Sequence, residues 1–335
     1  MKKHILLITV TLALGLSWVG CNKSGKLDTV SKFTAPAGPV ELKLKWPVGE
    51  RVVQKIDMKM NVEISVPNQP SSSKQDMTMG QDYALSVLKE TADGGHEVEM
   101  EFLSMRMKMD QGGKTAIDYD STKKPSNDRK DPTTATFQKT FQNLIGSKIQ
   151  YFLDASNHVE RIEGVDALVN RLTTSGQGDA TAGVKSMFNE GYLKQMIGDS
   201  RYLPSKPVQP GDTWPIKIDI AMGDLGTMEM NYDFTFQSWE QHGKRNCARL
   251  EFQGTFKNKP DQNSKPAGMT MTIQDGNSSG ISWFDPELGI IVETTVNQDI
   301  KMTMTITMSQ RGKTITQTMT NIMSQAITVK LDSVK

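Results

Sequence analysis

Methionine carries the chemistry to be weighed first in this chain, supplying 21 of its 335 residues. Many are spaced two apart: Met58/Met60, Met77/Met79, Met105/Met107/Met109, Met228/Met230, Met269/Met271 and Met302/Met304. On a strand, residues two apart share a face with α-carbons about 6.6–6.8 Å from one another, so these groups set out ladders of thioethers. Such a ladder has three uses. It fills irregular space in an ordinary core. It lines a deformable cavity for lipid or another apolar ligand. It also captures a soft metal, because thioethers select Cu(I). Against the metal, no histidine adjoins a dyad, and the dyads spread over the whole chain. The candidate ligand-binding residues are Met58, Met60, Met105, Met107, Met228, Met230, Met302 and Met304. No cofactor and no metal site is assigned.

Other reactive residue types give no catalytic arrangement. His96, His158 and His242 each lie next to glycine or asparagine or one residue from it, and are expected at solvent-facing hairpin tips, so no general base is evident. Gly276-Asn277-Ser278-Ser279-Gly280 matches the nucleophile-elbow string. That motif needs a strand-to-helix turn in an α/β sheet, whereas this segment reads as a polar turn between strands. Asp118-Tyr119-Asp120, with Asp110, Asp128 and Asp131, lacks the glycine and terminal glutamate of a calcium loop, and lysines and arginines surround it. Cys247 reads as a small core residue. The chain is not expected to be an enzyme.

Cys21 is a candidate for modification. Lys2 and Lys3 precede an apolar stretch from Ile5 to Leu16, and Ser17-Trp18-Val19-Gly20 leads into the cysteine. This resembles a bacterial lipoprotein signal, in which Cys21 becomes the lipidated (palmitate-bearing) first residue of the mature chain. Trp18 stands where leucine is usual. An ordinary secretory signal or an uncleaved anchor are the other readings, and all three export the protein. Asn22, in place of aspartate, favours the outer membrane over the inner. Residues 21–40 read as a flexible tether, being rich in Lys, Ser, Gly, Ala and Pro. With 39 basic and 38 acidic residues, the near-neutral chain is a poor partner for nucleic acid. An acylated Cys21 would leave Cys247 without a partner, so the exported fold must hold without disulfides.

The elements that position these residues are mostly strands. Strict alternation runs from Val52 through Ile56, Met58, Met60, Val62 and Ile64 to Val66. It returns at Tyr83–Val87 and at Trp214–Ile220, and twice near the C-terminus, from Val292 to Met308 and from Ile315 to Leu331. Strands that long usually bend around something. Between Val98 and Met109 the apolar parity slips near Phe102, which predicts a β-bulge. Asp93-Gly94-Gly95 predicts a hairpin turn. Helical spacing predicts three short helices: Phe137 to Ile145, Val165 to Leu172, and Met187 to Ile197. Asp110–Thr134 reads as a long exposed loop.

Landmarks recur in the same order in both halves. Pro47-Val48-Gly49-Glu50 parallels Gln209-Pro210-Gly211-Asp212, and Tyr83–Val87 parallels Tyr232–Phe236. Met100-Glu101-Phe102 parallels Leu250-Glu251-Phe252, and Phe152-Leu153-Asp154 parallels Trp283-Phe284-Asp285. The expected organisation is a signal peptide (1–20), a tether (21–40), an N-terminal β half (41–172), a helical connector (173–205) and a C-terminal β half (206–335).

With Leu42–Trp46, the Met dyads, Glu97–Phe102, Asp118–Ser121, Gly146 to Gly164 and Leu203–Val208 ahead of Gly211–Trp214, the chain resembles an uncharacterised family of bacterial lipoproteins with Met-rich strands, known as a domain of unknown function. The resemblance implies no activity and no catalytic residue. In architecture the chain is also similar to lipoprotein carriers of the LolA and LolB type. The expectation is a mainly β protein, with one or more long antiparallel curved sheets or a half-barrel built from two similar halves. It would be an exported, membrane-anchored, non-enzymatic lipoprotein that binds an apolar ligand or an envelope protein partner. Cu(I) buffering through the Met dyads and a purely structural envelope role are the alternatives.

Overall fold

The computed structural model describes residues 35–67, 72–123, 132–173, 193–194, 197, 202–221, 226–259, 269–310 and 313–335. Cys21, the signal segment and most of the tether lie outside the described residues, as does nearly all of the third expected helix.

The strand-period segments form one 12-stranded antiparallel sheet. Its strands are β1 (Arg51–Ser65), β2 (Ser73–Glu90), β3 (His96–Gln111), β4 (Lys114–Asp120), β5 (Lys148–Leu153), β6 (Val159–Glu163), β7 (Thr213–Ala221), β8 (Thr227–His242), β9 (Arg245–Lys259), β10 (Met269–Asp285), β11 (Ile290–Gln310) and β12 (Lys313–Val334). Two helices, α1 (Pro132–Leu144) and α2 (Val165–Thr173), complete the described elements. The spatial order is β6-β5-β3-β2-β1-β12-β11-β10-β9-β8-β7, with β4 beside β3. The sheet is curved and open, and β6 and β7 are its two ends.

Alternation explains which face is inside. In β1 the residues Val52, Gln54, Ile56, Met58, Met60 and Val62 are buried, while most of the residues between them stay at least partly exposed. The same holds along β12, from Met319 to Leu331. Each buried apolar side chain contributes about 1.5–3 kcal/mol relative to exposure, so a one-residue slip of register would forfeit a whole inner row. The outer face carries cross-strand ion pairs such as Arg51–Glu101 (2.8 Å) and Lys148–Glu99 (2.7 Å). It also carries threonine pairs between β11 and β12, Thr305–Thr318 at 3.1 Å among them.

The two halves follow one plan. Read in the same direction along the sheet, β6-β5-β3-β2-β1 corresponds to β11-β10-β9-β8-β7, and β12 joins the halves by pairing with both β1 and β11. Equivalent hydrogen bonds recur. Gly49 N donates to Val87 O (2.9 Å) and Val87 N to Glu50 O (3.0 Å), while Gly211 N donates to Phe236 O (2.7 Å) and Phe236 N to Asp212 O (2.9 Å). Both glycines hold positive φ, +88° and +98°, which only glycine adopts without strain. The pairing refines one landmark. Val87 faces Val98 and Phe236 faces Leu250, so Val98, and not Met100, is the counterpart of Leu250.

The bulge near Phe102 is present, because Asp82 pairs with Ser104 while Tyr83 pairs with Phe102. The turn at Gly94 is present too, closed by Thr91 N to Gly95 O at 2.9 Å. Three expectations are corrected. Part of the expected loop at Asp110–Thr134 is β4, reached through Gly112 and Gly113 (φ +57° and +77°), and its Ile117 and Tyr119 are buried. Gly276–Gly280 is not a turn but the interior of β10, with Gly276 and Gly280 under the Phe256 and Phe252 rings. His242 is not a solvent-facing tip residue. Its ring stacks on Trp283 (centroids 4.3 Å apart) and its Nε2 lies 3.0 Å from Glu293 Oε2.

Of the expected helices, α1 buries Phe141 and Leu144, and α2 buries Leu168 and Leu172. Asn143 Nδ2 donates to Arg171 O and Arg171 Nη2 to Ile145 O, both at 3.1 Å, which ties the two helices together. Phe141 stacks on Tyr119 at 5.8 Å, which docks α1 on β4.

Candidate functional site

Strand pairing decides which methionines meet. Met58 lies opposite Met79, and Met60 opposite Met77. Met79 in turn lies opposite Met107, and Met77 opposite Met109. Side chains directly opposite on a sheet have β-carbons about 4.5–5.5 Å apart. The result is a block of thioethers two rows deep on β1, β2 and β3, with Met105 one row further along β3. The dyads Met58/Met60 and Met105/Met107 are therefore brought together by Met77 and Met79.

Met302 and Met304 sit on β11, with β12 between them and β1. Met304 pairs with Met319 of β12 and with Met271 of β10, and Met323 of β12 pairs with Val62 of β1. These residues extend the thioether surface across the centre of the sheet. Met302 is only half-buried. Met228 and Met230 do not join it. They lie on β8, beyond β10 and β9, where the face turns aromatic. There Trp214 stacks on Phe234 at 5.7 Å, and Phe234 on Phe252 at 5.0 Å.

A row of buried polar side chains crosses between the methionine and aromatic regions. Gln325 of β12 faces Met60 on one side and Gln298 of β11 on the other, and Gln298 faces Ser278 of β10. Ser278 faces Gly254 of β9, over which the Tyr232 ring lies, and the Tyr232 hydroxyl donates to Met230 Sδ at 3.8 Å. Burial holds that phenol well above its ordinary pKa, so it stays neutral. Gln325 Nε2 donates to Met58 Sδ at 2.7 Å, and Asn321 Nδ2 donates to Met304 Sδ at 3.0 Å. Nearby, Ser282 and Thr294 share a hydrogen bond of 2.9 Å.

These polar residues were legible only as interruptions. Gln298 breaks the apolar parity between Val296 and Ile300, and Asn321 and Gln325 break it between Met319 and Ile327. Read as tolerated irregularities they say nothing. Read in register, Gln325, Gln298 and Ser278 line up across three strands.

No group of three His, Cys, Asp or Glu suited to a metal occurs among the described residues. Cys247 is fully buried, and burial pushes its thiol up to about 12, followed by the effect of Asp285. We expect Ellman's reagent to leave Cys247 unmodified in the native protein and to titrate it once denaturant unfolds the chain. Rapid native labelling would contradict this packing. A cavity of about 10 Å³, enough for one water, lies by Trp46, Val52, Leu85 and Leu288 at the start of β1 and the end of β2, away from the methionine block.

Among solved structures, the chain is similar to lipovitellin, described for its lipid–protein interactions, with 9% identity over 87% of this chain and a TM-score of 0.45. It spans only 26% of the lipovitellin chain. It is also similar to an exported protein of YMCC-like fold from Bacteroides fragilis, with 10% identity over 88% of this chain and all of that one, at a TM-score of 0.28. A lipoprotein from Parabacteroides distasonis gives 10% identity over 89% of this chain and all of its own, also at 0.28. Likenesses this distant carry no functional argument. No curated protein matches the chain. A family model does match, across residues 93–291 and so over more than half of the chain, from the β2–β3 turn to the start of β11: the protein belongs to DUF6263, a family of unknown function.

Proposed function

We propose that this protein is exported, acylated at Cys21 and held at the cell envelope, the outer membrane in a Gram-negative cell, where its β body binds an apolar ligand without covalent chemistry. The observation that carries the reading is the thioether block built by Met58, Met60, Met77, Met79 and Met107, with further methionines, Met323, Met319 and Met304, among apolar and amide residues across the centre of the sheet. Methionine has three rotatable bonds and a polarisable sulfur, so such a surface repacks around partners of different shape. The block is buried, and a ligand would enter by displacing flexible side chains.

A soft-metal reading draws on the same block, because Met58, Met79 and Met107 are consecutive neighbours across three strands. The amide of Gln325 already occupies the Met58 sulfur, which favours the apolar ligand. A Cu(I) titration against a competing chelator separates the two readings.

The test uses the full chain and its Cys21→Ser variant. Labelled palmitate should enter the wild type and not the variant. The variant, released from the membrane, should carry co-purified lipid by native mass spectrometry or bind a hydrophobic dye with micromolar affinity. A protein that is empty and binds no dye would leave a structural envelope role in its place.

A further inference from the structure

Four amide atoms near the centre of the inner face find no hydrogen-bond partner among the described residues, Gln298 Nε2 and Oε1, Gln325 Oε1 and Asn321 Oδ1, and the Ser278 hydroxyl opposite Gln298 also lacks one. The three amide residues are 1%, 3% and 1% exposed, in the order Gln298, Gln325, Asn321. Leaving such an atom unsatisfied costs about 1–3 kcal/mol, and apolar residues of the same shape would avoid the cost. Two of the three amides are direct neighbours. Gln298 and Gln325 lie directly opposite, and Asn321 shares the β12 inner face one position beyond Met323. Together they offer both donors and acceptors.

The surroundings define what they can receive. On the β12 side lie Met58, Met60 and Met323, and on the β10 side lie Ser278 and, over Gly254, the neutral Tyr232 phenol. The inner rows around them, through Ile56, Ile327, Val296, Ile300, Gly276 and Gly280, contain no Lys, Arg, His, Asp or Glu. The ion pairs of these strands are on the outer face, for example Glu293 with Lys330 at 2.8 Å. A carboxylate or phosphate placed here would meet no counter-charge, and burying an unpaired ion is far costlier than burying an amide or an ester.

We propose that the ligand is an uncharged amphiphile. Its acyl chain lies along the methionine block, and its head, an ester, amide or hydroxyl group with both donor and acceptor, bonds to Gln298 and Gln325. Free fatty acids in ionised form and anionic lipids are discriminated against by the absence of a cation. This rests on the apolar-ligand reading of the same face and goes further in naming the head group.

The experiment displaces a hydrophobic dye from the Cys21→Ser chain at pH 8 with monooleoylglycerol, oleamide or oleate, each below its aggregation threshold. The two uncharged probes should displace dye at concentrations at least about ten-fold lower than oleate. In a Gln298→Leu/Gln325→Leu variant the preference should shrink to about two-fold while dye binding persists. Gln298→Met alone, closer in shape, gives the same direction should the double variant fail to fold. Dye binding with no preference for the uncharged probes, or a preference untouched by the variants, overturns the head-group assignment and leaves apolar binding standing. A chain that binds neither dye nor any probe overturns the reading beneath it.

Discussion

Gly280→Val is expected to lower the unfolding free energy by about 3 kcal/mol or more. A β-carbon added at Gly280 would lie 2.3 Å from both Phe252 Cζ and the Thr295 carbonyl oxygen. The first contact can relax, because an aromatic ring can move. The second cannot, since Thr295 belongs to the neighbouring strand and its carbonyl is fixed by the ladder. Gly280→Ala should therefore already be costly, and shortening the ring with Phe252→Leu should rescue it only in part. Gly211→Ala is the comparison: nothing lies within 4 Å, and the cost should come from the positive φ alone, about 1 kcal/mol. Urea unfolding of the three single variants gives the order directly. If Gly280→Val matched Gly211→Ala in stability, the close approach of the Phe252 ring and the Thr295 carbonyl to Gly280 would be wrong.

The same glycine marks where the sequence stopped being readable. Gly-Asn-Ser-Ser-Gly has turn composition, and by local rules it is a turn. It becomes strand because Phe252 and Phe256 on β9 and Thr295 on β11 fill the space that side chains at Gly280 and Gly276 would take. That is a tertiary effect no local window contains. The long alternating runs were legible for the opposite reason, since their period is a property of the run itself. β4 was missed because charged residues flank only two inward positions, Ile117 and Tyr119, too few to establish a period. The pairs of methionines along each strand were visible, but not which strands are neighbours. The adjacency of Met58, Met79 and Met107, and the row from Gln325 to Ser278, exist only once register is known.

The row of amides also sets stability against use. An inner face built only of Leu, Ile and Met would bury the same area without leaving Gln298 unsatisfied. Under the proposed function, that loss of stability keeps polar groups available to a ligand. The thioethers next to them take part in this row, since Met58 and Met304 accept the Gln325 and Asn321 amides.

Asp285→Ala is the second large effect, expected at about 3 kcal/mol. Asp285 is 2% exposed and does two jobs. Its Oδ2 accepts from Arg245 Nη1 at 2.9 Å, and its Oδ1 accepts from the backbone N–H groups of Glu287 (2.9 Å) and Leu288 (3.2 Å), closing the β10–β11 turn. Removing it strands a half-buried guanidinium and opens the turn at once. Asp154 is its counterpart in the first half, accepting from Ser156 N at 2.8 Å in the β5–β6 turn. It lies nearer to solvent, with His158 in place of an arginine. Asp154→Ala should consequently cost about 1 kcal/mol, in line with loss of a local turn bond. Denaturant midpoints for both variants, with Arg245→Met/Asp285→Leu as an apolar replacement for the buried pair, separate the contributions. Recovery of most of the lost stability in the double variant would assign the Asp285 effect to the unpaired arginine. No recovery would assign it to the turn.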